Sequence, residues 1–300
     1  MPEEHRSGFA CFVGRPNAGK STLMNALVGS KVAITSDRPQ TTRRAIRGIV
    51  HRPEAQLVIV DTPGLHRPRT LLGERLNDVV RSTLADVDVV GFCLPSNEKV
   101  GPGDRFIAAE LVRLKAPVVA IATKADLVGR DRLAEHLMEI DQLGNWAEIV
   151  PVSGLTGEQM DVLGDVLIKR LPVGPPLYDA DAITDEPDAL MIAELVREAA
   201  LEGVRDELPH SLMVMVEEIV PREETTGALS VADVRVTIFV ERDSQKGIVI
   251  GHAGARLKQV GSEARVGIEK LLGRRVFLDL RVKVAKDWQR DPKQLGRMGF

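Results

Sequence analysis

The residues most able to do chemistry form a glycine-rich segment near the start of the chain, GRPNAGKS at positions 14–21. An apolar stretch at 8–13 precedes it and a helical pattern follows it, which is the strand–turn–helix context that this phosphate-binding pattern requires. Gly14 and Gly19 let the backbone wrap a phosphate, and Lys20, expected on a solvent-facing loop, neutralises the outer phosphates. The Ser21 hydroxyl supplies a magnesium ligand. The pattern predicts a nucleoside triphosphate site without choosing between GTPase, ATPase and kinase.

Three further loops with polar residues also follow apolar stretches: DTPG at 61–64, TKAD at 123–126 and SGLTG at 153–157. Asp61 comes directly after a strand, where its carboxylate can hold magnesium through water, and the Gly64 N–H can meet a γ-phosphate. Loops at the carboxyl ends of strands of one parallel sheet converge on the crevice where such folds bind ligands. We therefore expect the four loops to form one site.

The elements that position these loops alternate along residues 8–171, where near-continuous apolar strands are separated by amphipathic helical patterns. Such alternation predicts a mainly parallel sheet covered by helices on both faces. A proline-rich and then acidic stretch at 171–188 breaks this rhythm and indicates a linker. Beyond it we predict a helix, two strands, a glycine-punctuated segment at 247–254, a helix at 255–272 and a last strand at 275–285. The expected organisation is an α/β domain at 1–175, a linker at 176–187 and a smaller α+β domain at 188–300.

The glycine-punctuated segment leads into an amphipathic helix that carries Arg256 and Lys258. Gly251 and Gly254 have no side chains, so a sugar-phosphate backbone can lie directly on the loop and on the helix N-terminus. From 241 to 300, fourteen Lys and Arg oppose seven Asp and Glu, although the whole chain has a formal net charge of -3. These features favour a polyanion-binding module. A helix-capping turn and a basic excess spread over a solvated surface remain the alternatives.

Composition excludes several classes of protein. With 44% apolar and 28% charged residues the chain is not broadly disordered, and no window approaches the roughly 18 uninterrupted apolar residues of a membrane-spanning helix. The first ten residues lack the features of a signal peptide. Cys11 and Cys93 lie in apolar runs and are predicted to be reduced core residues, and 3% aromatic residues argue against an aromatic platform for stacking bases. We expect a soluble, cytoplasmic protein.

The motifs GRPNAGKS, PQTTR at 39–43, DTPG, TKAD and SGLTG, in this order and at roughly this spacing, resemble the motif series of translation-factor-like GTPases. The resemblance implies that Lys20 binds the β- and γ-phosphates and that Gly64 senses the γ-phosphate. It also implies that Thr42, with Thr41 as the alternative, ligates magnesium. The implied magnesium ligands are Ser21, Thr42 and Asp61, and the implied catalytic residues are Lys20, Thr42 and Gly64.

The same resemblance implies that Asp126 pairs with the N1 and N2 hydrogens of guanine while Lys124 packs over the base. A carboxylate that faces two N–H donors favours guanine over adenine, which lacks that pair. The implied nucleotide contacts are Gly14, Asn17, Ala18, Gly19, Lys20, Ser21, Thr22, Asp61, Gly64, Thr123, Lys124, Asp126, Ser153 and Gly154.

Three positions depart from the usual GTPase pattern or leave their role open. Thr123 stands where an Asn is usual, and its hydroxyl makes fewer hydrogen bonds than an amide, so guanine affinity is expected to be reduced. Leu65 follows Gly64 where Ras-like enzymes have a Gln that orients the attacking water, so slow intrinsic hydrolysis is expected. Asn17 resembles an asparagine that in a subset of related GTPases helps to hold a potassium ion. The alternative is that Asn17 only braces the loop.

The segment 251–254 resembles the GxxG loop of a KH domain, which clamps about four nucleotides. A P-loop GTPase domain, a Pro-rich linker and a KH domain together resemble the bacterial Era GTPases over essentially the whole chain, with further matches at LPHS (208–211) and in the ending VKVAKDWQRDPKQLGRMGF. The implied fold is an α/β P-loop GTPase domain with a mainly parallel sheet, followed by a type II KH domain. The implied RNA contacts are Gly251, His252, Ala253, Gly254, Arg256 and Lys258.

The resemblance to Era GTPases also implies partners and cofactors. The cofactors are GTP or GDP and Mg²⁺, with K⁺ added if Asn17 holds it. The partners are the 3′ region of small-subunit ribosomal RNA and the assembling small subunit, with no DNA partner, and we expect a monomer. Two other functions stay open, a metabolic P-loop kinase with an appended domain and an RNA-binding protein with a vestigial nucleotide site. Attachment of the basic segment 241–300 to the inner membrane surface is also open, although no amphipathic stretch specifies it.

Overall fold

A six-stranded sheet organises the first half of the chain in the computed structural model, which describes residues 4–35, 42–65, 70–202, 211–222 and 231–300. Its strand order is β2-β3-β1-β4-β5-β6, with β2 antiparallel to β3 and the other neighbours parallel. The predicted mainly parallel sheet is thus confirmed. The strands are β1 (Arg6–Gly14), β2 (Ile46–Arg52), β3 (Ala55–Asp61), β4 (Val89–Pro95), β5 (Val118–Thr123) and β6 (Glu148–Pro151).

Helices cover both faces of this sheet, as its apolar strands require. The apolar cluster on one face includes Phe12, Leu57 and Leu163, and the cluster on the other face includes Val80 and Phe92. The helices are α1 (Lys20–Val28), α2 (Leu71–Asp86), α3 (Pro102–Leu111), α4 (Arg130–Asp141) and α5 (Met160–Ile168).

The register of the sheet brings the four predicted loops to one edge. Phe12 of β1 pairs with Asp61 at the end of β3, and Pro95 of β4 pairs with Thr123 at the end of β5. The segments 14–21, 61–64, 123–126 and 153–157 therefore all leave the sheet at the carboxyl ends of parallel strands. This is the arrangement that places a ligand crevice in a doubly wound fold.

The segment that follows α5 runs along this same unit instead of leaving it at once. Gln56 on β3 is buried, and its amide oxygen accepts from the N–H groups of Leu177 and Tyr178 at 2.6 and 2.8 Å. Further along, the Ile49 N–H of β2 donates to the carbonyl of Ile183 at 2.9 Å. Because β2 is an edge strand with unpaired backbone groups, it binds part of the segment that the sequence predicted as a linker at 176–187.

The described residues fall into two units, one within Met1–Pro68 and Gly73–Asp185 and the other within Arg69–Leu72 and Glu186–Phe300. The second unit holds a three-stranded sheet in the order β7-β8-β9, with β7 antiparallel and β9 parallel to β8. Its elements are α6 (Asp188–Leu201), β7 (Met213–Arg222), β8 (Val231–Val240), α7 (Asp243–Ile250), α8 (Ala255–Leu272), β9 (Arg275–Val284) and α9 (Pro292–Arg297). The order α-β-β-α-α-β of the first six elements confirms the expected α+β unit of type II KH topology, and α9 follows β9.

The sequence did not predict two short helices of this unit, α7 and α9. The run Gly247-Ile-Val-Ile250 resembles a strand in composition, yet it forms the last turn of α7, whose Val249 is packed into the core. After β9, Trp288 is fully buried, and its indole N–H donates to the Ser211 carbonyl at 2.9 Å. Within the described residues, none of the helices is both long and apolar enough to cross a membrane.

Candidate functional site

The segment 14–21 forms a tight loop between β1 and α1. A Cβ at Gly14 would lie 2.7 Å from the Cys93 carbonyl, so only glycine fits where the loop leaves the sheet. Asn17 and Gly19 have φ angles of 63° and 88°, which curl the chain before α1 begins at Lys20. A helix N-terminus preceded by such a turn is an anion-binding concavity.

Lys20 is packed against the loop, which differs from the expectation that it is solvent-facing. Its side chain is buried, and Nζ lies 3.2 Å from the Arg15 carbonyl and 3.5 Å from the Gly14 carbonyl. Lys20 is buried because it is the first residue of α1, and the phosphate-binding loop curls around this first turn and encloses its side chain. The ammonium group is thus held at the concave side of the loop, where it can offset phosphate charge.

The three predicted magnesium ligands lie together. The Ser21 hydroxyl donates to Asp61 Oδ2 at 2.6 Å, the Thr42 hydroxyl donates to the same oxygen at 3.0 Å, and the two hydroxyl oxygens are 3.1 Å apart. A carboxylate and two hydroxyls are the hard oxygen donors that Mg²⁺ prefers. These residues therefore fit the ion. The alternative ligand, Thr41, lies outside the described residues.

Gly64 brings the loop after β3 against the phosphate-binding loop. A Cβ at this position would stand 2.8 Å from the Pro16 backbone nitrogen, so the approach requires glycine. The next residue, Leu65, is buried in the apolar cluster that contains Val13 and Phe92. A buried leucine offers no group that could orient water, which agrees with the expected slow intrinsic hydrolysis.

The loops after β5 and β6 flank the start of α1. The Thr123 hydroxyl donates to the Ala18 carbonyl at 2.7 Å, so Thr123 braces the phosphate-binding loop. After it, Lys124 adopts a left-handed φ of 57°, Ala125 is buried, and the Asp126 side chain is exposed and accessible to a ligand.

The SGLTG loop packs on the first turn of the same helix. Ser153 is buried and its hydroxyl accepts from the Thr156 N–H at 3.1 Å. A Cβ at Gly154 would lie 3.2 Å from the Thr22 carbonyl, so a larger side chain would press on α1. Contacts of Asp61, Gly64, Thr123 and Gly154 thus bring their loops to the phosphate-binding loop and the first turn of α1, and Lys124 and Asp126 follow Thr123 at the same edge of the sheet.

The two cysteines take no part in this site. Cys11 and Cys93 are free and buried in the described structure. Burial raises the pKa of both thiols to about 12, so they stay protonated near neutral pH. Their prediction as reduced core residues is confirmed.

In the second unit the GxxG segment joins two helices. Gly251 ends α7 with φ 70° and ψ 178°, and a Cβ there would lie 2.7 Å from the Arg256 Cβ. Ala253 and Gly254 have φ angles of 48° and 80°, and α8 begins at the next residue. A Cβ at Gly254 would meet nothing within 4 Å, so this side of the loop is open.

The predicted RNA contacts divide into two groups. His252, Ala253 and Lys258 are exposed at the loop and on the first turns of α8. The Arg256 guanidinium instead donates to the carbonyls of Ala200 and Glu202 at 3.3 and 2.5 Å, at the C-terminus of α6. Carbonyls at a helix end attract a cation, so Nη2 of Arg256 ties the two helices together.

Comparisons with known proteins agree with these two units. A family model described as a 50S ribosome-binding GTPase matches residues 9–124, and a KH domain model matches residues 207–289. A GTPase Era of Streptomyces coelicolor is 66% identical over 99% of this chain and 95% of its own length. A GTPase Era of a Nocardioides species is 63% identical over 99% of this chain and 96% of its own length.

Solved structures give the same relationship. A crystal structure of Era in complex with MgGDPNP and nucleotides 1506–1542 of 16S ribosomal RNA has a TM-score of 0.94 and 37% identity, and it covers 98% of this chain and 99% of that chain. A variant of Aquifex aeolicus Era bound to GDP and AlF4⁻ has a TM-score of 0.93 at the same identity and coverage. With its nucleotide loops at one sheet edge and its GxxG segment between two helices, this chain belongs to the Era family of GTPases.

Proposed function

We propose that this chain hydrolyses GTP slowly and acts in small ribosomal subunit assembly by binding near the 3′ end of small-subunit ribosomal RNA, with the bound guanine nucleotide controlling RNA binding. The observation that carries the proposal is the pairing of a guanine-nucleotide site with a GxxG module in one chain. The same pairing, over 98% of this chain, occurs in an Era structure that holds both MgGDPNP and 16S ribosomal RNA nucleotides.

In the nucleotide site, each residue has one task. Lys20 binds the β- and γ-phosphates, and Gly64 offers its N–H to the γ-phosphate, so the loop after β3 distinguishes GTP from GDP. Ser21, Thr42 and Asp61 hold Mg²⁺, which supplies positive charge to the phosphates during transfer. Asp126 accepts from the two N–H groups of guanine, which gives specificity over adenine.

Hydrolysis needs a group that orients the attacking water, and Leu65, the described residue next to Gly64, does not provide one. Leu65 cannot orient water, so the intrinsic rate is slow and a partner or an ion accelerates it. Potassium held by Asn17 is one such device, because Asn17 lies in the loop that contacts the phosphates. The test is GTP hydrolysis in potassium and in sodium at constant ionic strength. A rise in potassium that Asn17→Ala abolishes supports the device, and equal rates in both salts return Asn17 to bracing the loop.

In the RNA module, the glycines and the open side of the loop admit a sugar-phosphate backbone. Gly254 leaves space for its close approach, and the N-terminus of α8 together with Lys258 attracts phosphate. The exposed residues between the glycines are His252 and Ala253, so charge attraction at the loop itself is weak. Discrimination between RNA sequences would rest on base edges that reach the loop.

The setting follows from these activities. A factor that binds ribosomal RNA works in the cytoplasm, and the proposed form is a monomer with no DNA partner. The basic segment 241–300 is assigned to RNA binding here, and its attachment to the inner membrane surface has no supporting feature in the described residues.

The experiment is a phosphate-release assay with GTP and with ATP, each with and without an RNA of the 3′ terminal sequence of small-subunit ribosomal RNA. We expect slow release from GTP, none from ATP, and a change in the GTP rate when the RNA is added. Lys20→Ala should abolish nucleotide binding and release in a chain that still folds. Phosphate release from ATP would contradict the guanine specificity, and tighter binding of ATP than of GTP in a filter-binding assay would favour the kinase alternative. RNA binding without any nucleotide binding would favour a vestigial site.

A further inference from the structure

Arg15, the second residue of the phosphate-binding loop, directs its side chain away from the loop toward α3. Its Nε donates to Asp104 Oδ1 at 2.7 Å, and its Nη2 lies 3.0 Å from Glu98 Oε2. The Asp104 side chain is 1% exposed, whereas the Glu98 side chain is 43% exposed. The contact with Asp104 is therefore the desolvated one, and it joins residues 89 positions apart in the chain.

Asp104 also fixes the start of α3. Its second oxygen, Oδ2, accepts from the Gly101 N–H at 2.8 Å. A carboxylate in the first turn of a helix is favoured by the helix dipole, so Asp104 is held in place independently of Arg15. One buried carboxylate thus links a helix N-terminus to the phosphate-binding loop.

The space between the two elements is shaped for the Arg15 side chain. A Cβ at Gly103 would lie 2.8 Å from Arg15 Cδ and 3.3 Å from Arg15 Cγ. The aliphatic part of Arg15 therefore crosses the first turn of α3 at a point where a methyl group on Gly103 would displace it.

The backbone of Arg15 lies in the turn that carries the phosphate-binding groups. Its carbonyl accepts from the Ala18 N–H at 3.2 Å and from Lys20 Nζ at 3.2 Å. Burial alone lowers the pKa of the Arg15 guanidinium, but Asp104 and Glu98 outweigh it and raise the pKa above its usual value. The charge of Arg15 is thus neutralised by these two carboxylates.

We propose that Arg15 and Asp104 form a latch that holds the phosphate-binding loop in its nucleotide-binding shape. Arg15 is then a positioning residue that acts through its own backbone, and it is not an arginine finger that touches the γ-phosphate. Because the latch acts on the whole loop, it should support GDP and GTP equally. The inference rests on guanine-nucleotide binding, which belongs to the proposed function.

The test compares Arg15→Ala, Asp104→Asn and the double variant in the full chain, with fluorescent GDP and GTP analogues for affinity and single-turnover hydrolysis at saturating GTP. We expect each single variant to raise the Kd of both nucleotides roughly ten- to a hundredfold, because small displacements of positioning groups have effects of this size. The hydrolysis rate at saturating GTP should stay within about threefold of the parent. The double variant should bind nucleotide no more weakly than the weaker-binding single variant, because the two residues act as one unit. Arg15→Lys should recover part of the affinity.

Two controls keep the result interpretable. Arg105→Ala removes an exposed arginine of the same helix and should change neither quantity. Gly103→Ala keeps both charges but displaces the Arg15 side chain, so it should weaken the binding of both nucleotides. This variant tests the latch even if Asp104→Asn fails to fold. Thermal unfolding of each variant separates loss of the site from loss of the fold.

The outcomes that overturn the latch are distinct from those that overturn the proposed function. A fall in the hydrolysis rate of about a thousandfold with unchanged GDP affinity would make Arg15 an arginine finger. Unchanged affinity and rate in folded Arg15→Ala and Gly103→Ala would make the contact structural only. Failure of the parent chain itself to bind guanine nucleotides would instead refute the proposed function.

Discussion

Replacement of Gly251 by alanine should destabilise the second unit much more than the same change at Gly254. Gly251 has φ 70° and ψ 178°, a region that is essentially restricted to glycine, and forcing another residue into it costs about 1 to 3 kcal/mol. The added methyl would also stand 2.7 Å from the Arg256 Cβ and 3.1 Å from the Arg256 nitrogen. Such overlap costs a further ~1 to 3 kcal/mol, because the backbone of α8 must shift.

Gly254 provides the matched comparison within the same loop. Its φ of 80° and ψ of 6° are left-handed, which other residues adopt at a cost of about 1 kcal/mol. A methyl group there meets nothing within 4 Å, so no overlap is added. Gly254→Ala should therefore keep the fold and act mainly on RNA affinity, by filling the open side of the loop.

The assay uses the positions of the two tryptophans. Trp288 is fully buried in the second unit, whereas Trp146 lies in the first unit. In a Trp146→Phe background, urea unfolding followed by tryptophan fluorescence reports on the second unit alone. Equal midpoints for Gly251→Ala and Gly254→Ala would refute the argument from backbone geometry.

Three further predictions follow from the described residues. Asp126→Asn should weaken GTP binding and gain relative affinity for xanthine nucleotides, and the assignment of the base reader fails if competition binding shows no such gain. Ala253→Asp should reduce RNA affinity several-fold to a hundredfold, about 1 to 3 kcal/mol for a lost close contact, and unchanged RNA affinity at matched salt would place the RNA site elsewhere. Lys258→Ala should lower the slope of log affinity against log salt concentration by less than about one. Burial lowers the pKa of His136 below its ordinary 6.5, so just below pH 6.5 the unfolded state binds more protons than the folded state, and the free energy of unfolding decreases as the pH falls. His136→Leu should flatten this part of the plot of unfolding free energy against pH, and an unchanged plot would contradict the prediction.

The nucleotide site was predictable because its signals are local. The spacing from Gly14 to Ser21 specifies a loop between a strand and a helix, and short motifs such as that at Asp61 mark strand ends. Strand order and register then bring these loops together in a way that the general rule for parallel sheets anticipates. The contribution of Thr123 was only partly foreseen, because its hydrogen bond to the phosphate-binding loop depends on the distance between two loops.

Features that depend on distant contacts were not predictable. Arg15 and Asp104 are 89 residues apart, and nothing in their local sequence indicates that they pair. The prediction of Arg256 as an RNA contact used its charge and position, and the contacts of its Nη2 with two carbonyls at the end of α6 could not be foreseen from them. The helix α7 was missed because its last turn has the composition of a strand, and only its packing against the core decides the conformation.

The most direct test of the account is the affinity of the full chain for a fluorescently labelled RNA with the 3′ terminal sequence of small-subunit ribosomal RNA, measured by anisotropy with GDPNP, with GDP and with an ATP analogue at one salt concentration. If the bound guanine nucleotide controls RNA binding, RNA affinity should differ between GDPNP and GDP, the ATP analogue should have no effect, and Ala253→Asp should weaken RNA binding in every nucleotide state. Identical RNA affinity under all nucleotide conditions, or undiminished affinity of Ala253→Asp, would contradict the claim that a guanine nucleotide controls RNA binding at the GxxG loop.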